Sequence, residues 1–410
     1  TSTGRCCCPS YESRARSLAG ISVKRLLSLV VISTLFFTPL ANSAPKKPLV
    51  KSLKLLTTIT SVDEFSGVVA SGRTIIVYGN KGDKSFAKAL DIAGKELWTV
   101  ELDKASPSVV TAAAVDSNGV IWLAGSTSLA RATPAPSPTV TALNPDKTIP
   151  VADIFSADLD AYSLWSLNPT TQLLTQYTLQ LSAPILINSV AVDKNGITAV
   201  GSSGTIITSD LAGKIAKPIN VGTEATIFES VVKHADGSIT VVGSSSETLG
   251  GKKLVGKVDG VIIKVSKAGK VVSVVRSSAP KASRNWLSAS NSLLLGGEVT
   301  TGPKVESAIT KFSSTYVPSW TYRFASSGKT FAAGSTFAFF QSKGAIAQLA
   351  NWAPKSPQAL LLTFDAKGVI TAAHSAPAEQ KEVLGLYLSK DLGPLCITSS
   401  AETVSIFTLN

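Results

Sequence analysis

Val115-Asp-Ser-Asn-Gly-Val-Ile-Trp-Leu-Ala-Gly-Ser126 is the clearest copy of the unit from which most of this chain is built. One apolar run ends at Val115, an Asp-x-Asn-Gly turn reverses the chain, and a second apolar run closes on Gly-Ser. The same order returns as Val192-Asp-Lys-Asn-Gly-Ile-Thr-Ala-Val-Gly-Ser202 and as His234-Ala-Asp-Gly-Ser-Ile-Thr-Val-Val-Gly-Ser244. Short Val/Ile/Thr-rich runs punctuated by Asn-Gly and Asp-Gly turns, which need positive φ, read as β-hairpins. A helical solenoid would show longer stretches at a 3.6-residue period.

Each hairpin (strands A and B) is followed by a second one (C and D) turning on sequences such as Ala93-Gly94-Lys95, Ala212-Gly213-Lys214 and Ala268-Gly269-Lys270. One four-stranded unit cannot bury its faces alone and stacks on its neighbours. The chain supplies six complete units after Phe65, and a seventh with A, B and a single C strand, Val404 to Leu409. The strand-like segment Leu49 to Ile59 precedes the first unit and has no unit of its own, so pairing it with the C-terminal remainder removes two exposed edges at once. The expected fold is all-β: a seven-bladed β-propeller with ring closure by an N-terminal strand, forming a single domain over 45–410.

Gly125 and Gly201 lie 76 residues apart, and the surplus is a Pro/Ala/Thr-rich insertion at 127–157 holding Pro134, Pro136, Pro138, Pro145 and Pro150. Smaller surpluses are expected at Ser245 to Val258, Thr300 to Val305 and Lys343 to Pro357. All four fall between strands B and C. In an antiparallel unit the B-C and D-A connections emerge on one side and the tight A-B and C-D turns on the other. One elaborated and one trimmed face follow, and binding residues are expected on the elaborated one.

The pattern Asp-x-Asn-Gly-x-Ile-x-x-x-Gly-Ser, followed by an Asp-x-x-Gly-Lys hairpin, resembles the β-propeller repeats of secreted bacterial proteins. Ala89-Leu-Asp-Ile-Ala-Gly-Lys-Glu-Leu-Trp98 is similar to the repeat of pyrroloquinoline-quinone-type (PQQ-like) propellers, with Ala93 where that family commonly has Thr. The resemblance implies blade-level structure and a binding or scaffold role, with some enzymes among the relatives. The equivalent hairpins Gly269-Lys-Val-Val-Ser273 and Gly368-Val-Ile-Thr-Ala372 lack the Trp, which argues against a quinoprotein dehydrogenase.

Leu26 to Leu40 is apolar, preceded by Lys24-Arg25 and followed by Ala41-Asn-Ser-Ala44, the order of a secretory signal peptide. It is short of the ~20 apolar residues a spanning helix needs, so no membrane span is expected after its removal, and a secreted or cell-envelope protein is. The signal peptide is read over 23–44, and 1–22, with Cys6-Cys7-Cys8, as an upstream segment foreign to the mature protein. Removing Arg5, Arg14, Arg16, Lys24, Arg25 and Glu12 with it lowers the formal net charge from +12 to +8. That excess is spread over turns and reads as a solvated surface, with no specific nucleic-acid partner. Only Cys396 follows Ala44, so no internal disulfide is available.

A hydrolytic triad needs a His, and only His234 and His374 exist, both in hairpins. No G-x-S-x-G elbow, H-E-x-x-H pair or phosphate-cradling loop is present. The recurrent Asp91, Asp116, Asp193, Asp236 and Asp365 read as turn residues bonding their own backbone. Asp153, Asp158 and Asp160 are the candidate oxygen ligands for a cation. Trp98, Trp122, Trp165, Trp286 and Trp320 fall in strands and fill space between units, whereas Asn351-Trp352 lies in a B-C surplus as a candidate exposed anchor, with Lys252-Lys253 the nearest basic candidates. The expected function is a monomeric binding or scaffold module, without a cofactor, that meets a protein or polysaccharide partner on its B-C loop face. The alternative is a polysaccharide-active or quinone-dependent enzyme with carboxylates converging at the channel mouth.

Overall fold

A computed structural model describes residues 47–60, 64–129 and 159–409. The upstream segment, the signal-peptide stretch, nearly all of the 127–157 insertion, Asp153 and Asp158 lie outside the described residues.

Strands β1 (Val50–Ser52) and β2 (Lys54–Ile59) precede the first sheet, β3–β6 (Phe65–Ser71, Thr74–Lys81, Lys84–Leu90, Glu96–Glu101). The second sheet is β7–β10 (Ser108–Val115, Ile121–Thr127, Ala161–Leu167, Leu174–Gln180) and the third β11–β14 (Ile187–Asp193, Gly196–Gly201, Thr205–Ser209, Ile219–Asn220). The fourth is β15–β18 (Thr226–Lys233, Ile239–Ser245, Asp259–Val265, Val271–Ser277). A long sheet follows, β19–β25 (Ser283–Ala289, Leu294–Thr301, Lys304–Phe312, Pro318–Ala333, Phe337–Ser342, Gln358–Phe364, Ile370–Ser375), with β1 added at its edge. The last sheet joins β26–β28 (Glu382–Ser389, Gly393–Ser399, Val404–Thr408) to β2. Within each sheet the strands run antiparallel, apart from the parallel β1–β25 pair.

The expectation of seven separate four-stranded blades is therefore corrected: the described residues form five four-stranded sheets and one of eight strands. The cause is β22, sixteen residues without a turn, whose first half pairs with β21 up to Glu306↔Ala325 and whose second half pairs with β23 from Ser326↔Ser342. The two halves of this sheet nonetheless pack on each other, Leu294, Ile309 and Phe324 of one against Phe340, Leu360 and Leu362 of the other. Seven such apolar clusters are found among the described residues, each between consecutive four-strand groups. The last joins Leu395, Ile397, Val404 and Ile406 of the last sheet to Val68, Ala70, Ile75 and Val77 of the first.

The N-terminal segment also departs from the expected single strand. β1 pairs parallel with β25 (Val50↔Ala373 to Ser52↔Ser375), the chain crosses at the buried Leu53, and only β2 pairs with β28 (Lys54↔Thr408 to Ile59↔Val404). The segment thus bridges the long sheet and the last one.

The repeat's Gly has a steric cause. Gly79, Gly125, Gly201 and Gly243 on the B strands face Phe65, Val110, Ile187 and Phe228, each followed by a β-bulge at Ser66, Thr111, Asn188 or Glu229. A Cβ on these glycines would lie 1.7, 1.9, 1.8 and 2.0 Å from the carbonyl oxygens of Glu64, Val109, Leu186 and Ile227. The bulge bends the innermost strand and re-aims its side chain, and in these four sheets Gly lets the B strand follow. The recurrent Asp residues cap the turns as expected: Asp91 Oδ1 accepts from Ala93 N and Lys95 N, and Asp116 Oδ1 from Asn118 N and Val120 N. Trp165 and Trp286 are fully buried, Trp122 nearly so, and Trp98 and Trp320 pack at cluster margins.

Candidate functional site

The B-C surpluses at 246–258 and 343–357 are present. Thr300 to Val305 is not a surplus, since β20 and β21 are joined by a two-residue turn closing on Thr301↔Lys304.

Each described insertion is fastened to the scaffold. In the fourth sheet Leu249 is buried in the core, and reciprocal bonds Leu249 N→Lys252 O (3.0 Å) and Lys252 N→Leu249 O (2.9 Å) close a two-residue turn on Gly250 and Gly251, both at positive φ. Beside this hairpin the Glu247 carboxylate accepts from Thr223 N (2.7 Å), Thr223 Oγ1 (3.1 Å) and Thr226 Oγ1 (2.5 Å). Those bonds, the Thr223 amide foremost, hold its carboxyl below the usual value.

At the far end stands Asp259, fully buried. It accepts from Val255 N (3.0 Å) and Gly256 N (2.9 Å) and pairs with Arg276 Nη1 at 3.1 Å, while Arg276 Nη2 donates to Glu247 O. Burial alone raises the Asp259 carboxyl, but the bonds from Val255, Gly256, Ser278 and Arg276 outweigh it and hold the group below its ordinary value. One buried guanidinium therefore ties both ends of the insertion together. The planar five-donor fork of Arg suits this task and a Lys ammonium does not. Among the side chains the insertion presents to solvent are Lys252, Lys253, Val255 and Lys257.

The insertion at 343–357 carries its own small core, with Ile346 and Leu349 buried and Ile346 N bonded to Trp352 O. Trp352 is not a free exposed anchor: it is half-buried against the long sheet's core and donates from Nε1 to Ser342 Oγ at 3.1 Å. The loop folds back on the sheet, which sequence position alone does not reveal. Asn351 is exposed, in the left-handed region at φ 57°. Ala350 N donates to Pro48 O, so the N-terminal segment also braces this loop. Lys252-Lys253 and Asn351-Trp352 thus belong to different sheets, and no hydrogen bond or ion pair joins them among the described residues.

Asp160, next to β9 in the second sheet, is occupied, accepting from Gln180 Nε2 (3.0 Å) and Leu129 N (3.4 Å). No cluster of three metal-ligating side chains occurs among the described residues.

At the axis, the innermost strands β3, β7, β11, β22 and β26 converge on a hollow of 260 Å³ lined by Ser66, Thr111, Asn188, Phe331, Leu384 and Tyr387 among others, none of them charged. Charge enters beside it, where Asn285 Nδ2 donates to Glu229 Oε1 at 3.2 Å and burial pushes the Glu298 carboxyl up, Lys329 opposing and Glu229 adding to the shift.

His234 Nε2 meets Thr240 Oγ1 at 2.7 Å, and Thr240 Oγ1 meets Tyr316 OH at 2.7 Å, a polar link between the fourth sheet and the long one. His374 lies on β25 under Lys51, and burial, aided by Lys51, lowers its pKa. Neither His has a nucleophile and a carboxylate arranged as a triad requires.

The fold aligns with solved WD40 propellers: the WD40 repeats of RRP9 (TM-score 0.56, 8% identity, covering 89% of this chain and 99% of that one) and U3-55K (0.56, 9%, 88% and 100%). The chain is an all-β propeller. At such identities the likeness extends to the fold alone. No protein-family profile and no curated protein matches the sequence. No helix among the described residues is long and apolar enough to cross a membrane.

Proposed function

We propose that this propeller is a binding or scaffold module of the extracytoplasmic space, released from a signal peptide ending near Ala44, monomeric, and working through its B-C loop face on a protein or polysaccharide partner. Its ring has seven units, the eight-stranded sheet counting as two fused at β22, and is closed by β2. The seven inter-unit clusters and the β2–β28 ladder support that count.

The observation that carries the binding reading is the Glu247–Arg276–Asp259 fastening. A buried ion pair adds little stability over an apolar pair of the same volume, so what it supplies here is a fixed position for the loop's tip, and preorganisation lowers the cost of binding. The test is capture from culture supernatant and envelope fractions on immobilised protein, with Lys252→Glu/Lys253→Glu as the comparison. Loss of the captured partner with an unchanged melting temperature is expected; equal capture by both proteins refutes the assignment of this surface. N-terminal sequencing of exported protein tests the processing site.

The enzyme reading rests on Glu229 and Glu298, neighbouring carboxylates of which one is raised in pKa, as acid/base pairs are. Polysaccharide hydrolysis abolished by Glu298→Gln would favour it over the binder.

A further inference from the structure

The outermost strand of the third sheet, β14, has two residues, where its counterparts β6, β10 and β18 have six or seven. After the turn at Asp210 the chain makes a single bridge, Ser209↔Ile215, Ala216 N still donates to Thr208 O at 2.8 Å, and the strand then bulges out through Lys217 and Pro218 before rejoining β13 at Ile206↔Ile219. Proline contributes no ladder donor, and three residues face two, so the strand lifts off. Space that a full strand would fill opens as a groove of 650 Å³ between the third and fourth sheets.

The groove has an apolar floor, with Ile197, Ile239 and Val265 buried and Ile215 and Ile219 half-buried. Deeper in, Lys233 is nine-tenths buried and neutralised by Asp193 Oδ1 at 3.1 Å. The rim is different. Lys214, Lys217 and Lys267 are exposed around the floor, and none has a carboxylate within 4.0 Å among the described residues. The one acidic lining residue, Asp210, is occupied by the amides of Ala212 (3.0 Å) and Lys214 (2.8 Å). Three unpaired cations around an aliphatic trough complement a chain with an aliphatic side chain between carboxylates. The groove is bounded by the Asp210–Lys214, Gly237 and Ser266–Gly269 turns, so it lies toward the trimmed face, away from the insertions.

We propose that the groove between the third and fourth sheets is a second docking site, which takes an extended acidic protein segment with an aliphatic residue seated on Ile219, Ile239 and Val265 and flanking carboxylates on Lys214, Lys217 and Lys267.

The probe is a fluorescein-labelled Glu-Asp-Glu-Leu-Glu-Asp-Glu peptide, followed by anisotropy with the whole protein. Saturable binding that weakens with added salt is expected, falling about tenfold or more in Lys217→Glu/Lys267→Glu, since reversing exposed charges removes attraction and adds repulsion. Ala268→Trp, on an exposed position of the rim, blocks the trough without altering charge and should weaken binding comparably. A peptide with Ser for Leu should bind several-fold more weakly. Affinity within twofold of the parent protein in both variants overturns the proposal, as does equal binding of a Lys-for-Glu peptide or no saturation up to millimolar peptide. Loss in Lys252→Glu/Lys253→Glu with retention in the groove variants would also overturn it, by moving the acidic ligand to the loop face.

Discussion

Removing the Asp259 carboxylate should weaken the protein and loosen one loop more than the rest. Asp259 is fully buried and its partner Arg276 retains 6% side-chain exposure. Asp259→Ala therefore leaves an uncompensated buried guanidinium and frees the amides of Val255 and Gly256. Breaking one side of a buried pair costs about 3–5 kcal/mol. At about 2 °C per kcal/mol for a domain of this size, the melting temperature falls by roughly 6–10 °C. The double variant Asp259→Leu/Arg276→Met, which removes both charges, should recover most of that loss, because replacing a whole buried pair by apolar groups is often neutral.

Hydrogen exchange separates the local effect from the global one. The Val255 and Gly256 amides should lose protection in Asp259→Ala well before the strands of the same sheet do. The pH dependence has a fixed sign. Because the folded-state pKa of Asp259 is depressed, its contribution is fully present above the ordinary aspartate range and is lost as pH falls through the folded value, so the gap between parent and variant narrows in acid. A melting temperature within about 1 °C of the parent, together with unchanged exchange at 255–256, would refute the fastening.

Leu53→Ala tests the N-terminal bridge: Leu53 is 6% exposed and packs against Phe339, Leu361 and Phe407, so a loss of about 2–5 kcal/mol is expected by denaturant unfolding. A change below about 0.5 kcal/mol, the scale of an ordinary surface substitution, would mean that the segment does not brace these sheets. Gly243→Ala should cost at least about 1–3 kcal/mol, because its Cβ falls 2.0 Å from the Ile227 carbonyl opposite the bulge; a neutral result would show that the bulge at Glu229 is dispensable.

The repeat was legible because its chemistry is local. An Asp whose carboxylate bonds the amide two residues on, or a Gly opposite a bulge, leaves a mark that recurs from copy to copy, and position within the unit separates turn from strand. The insertions could be found as excess length, but what they do could not, because fastening is non-local. Asp259 and Arg276 are seventeen residues apart on adjacent strands, and Glu247, whose carbonyl completes the set, lies twenty-nine residues from Arg276. Trp352 misled for a related reason: its partners are Ser342 and the core of the long sheet onto which the loop folds back, and a loop position with no periodicity carries no sign of them. The missing turn before β22's second half left a trace only as an absence, since Tyr322-Arg-Phe-Ala-Ser-Ser-Gly328 holds no proline where most other units break, at Pro107, Pro184, Pro280 and Pro377. The two-residue β14 is marked by Pro218 alone. Local regularity thus identifies the scaffold, and the places where regularity fails, the fastened insertion and the lifted strand, are where this scaffold departs from what stability alone would ask.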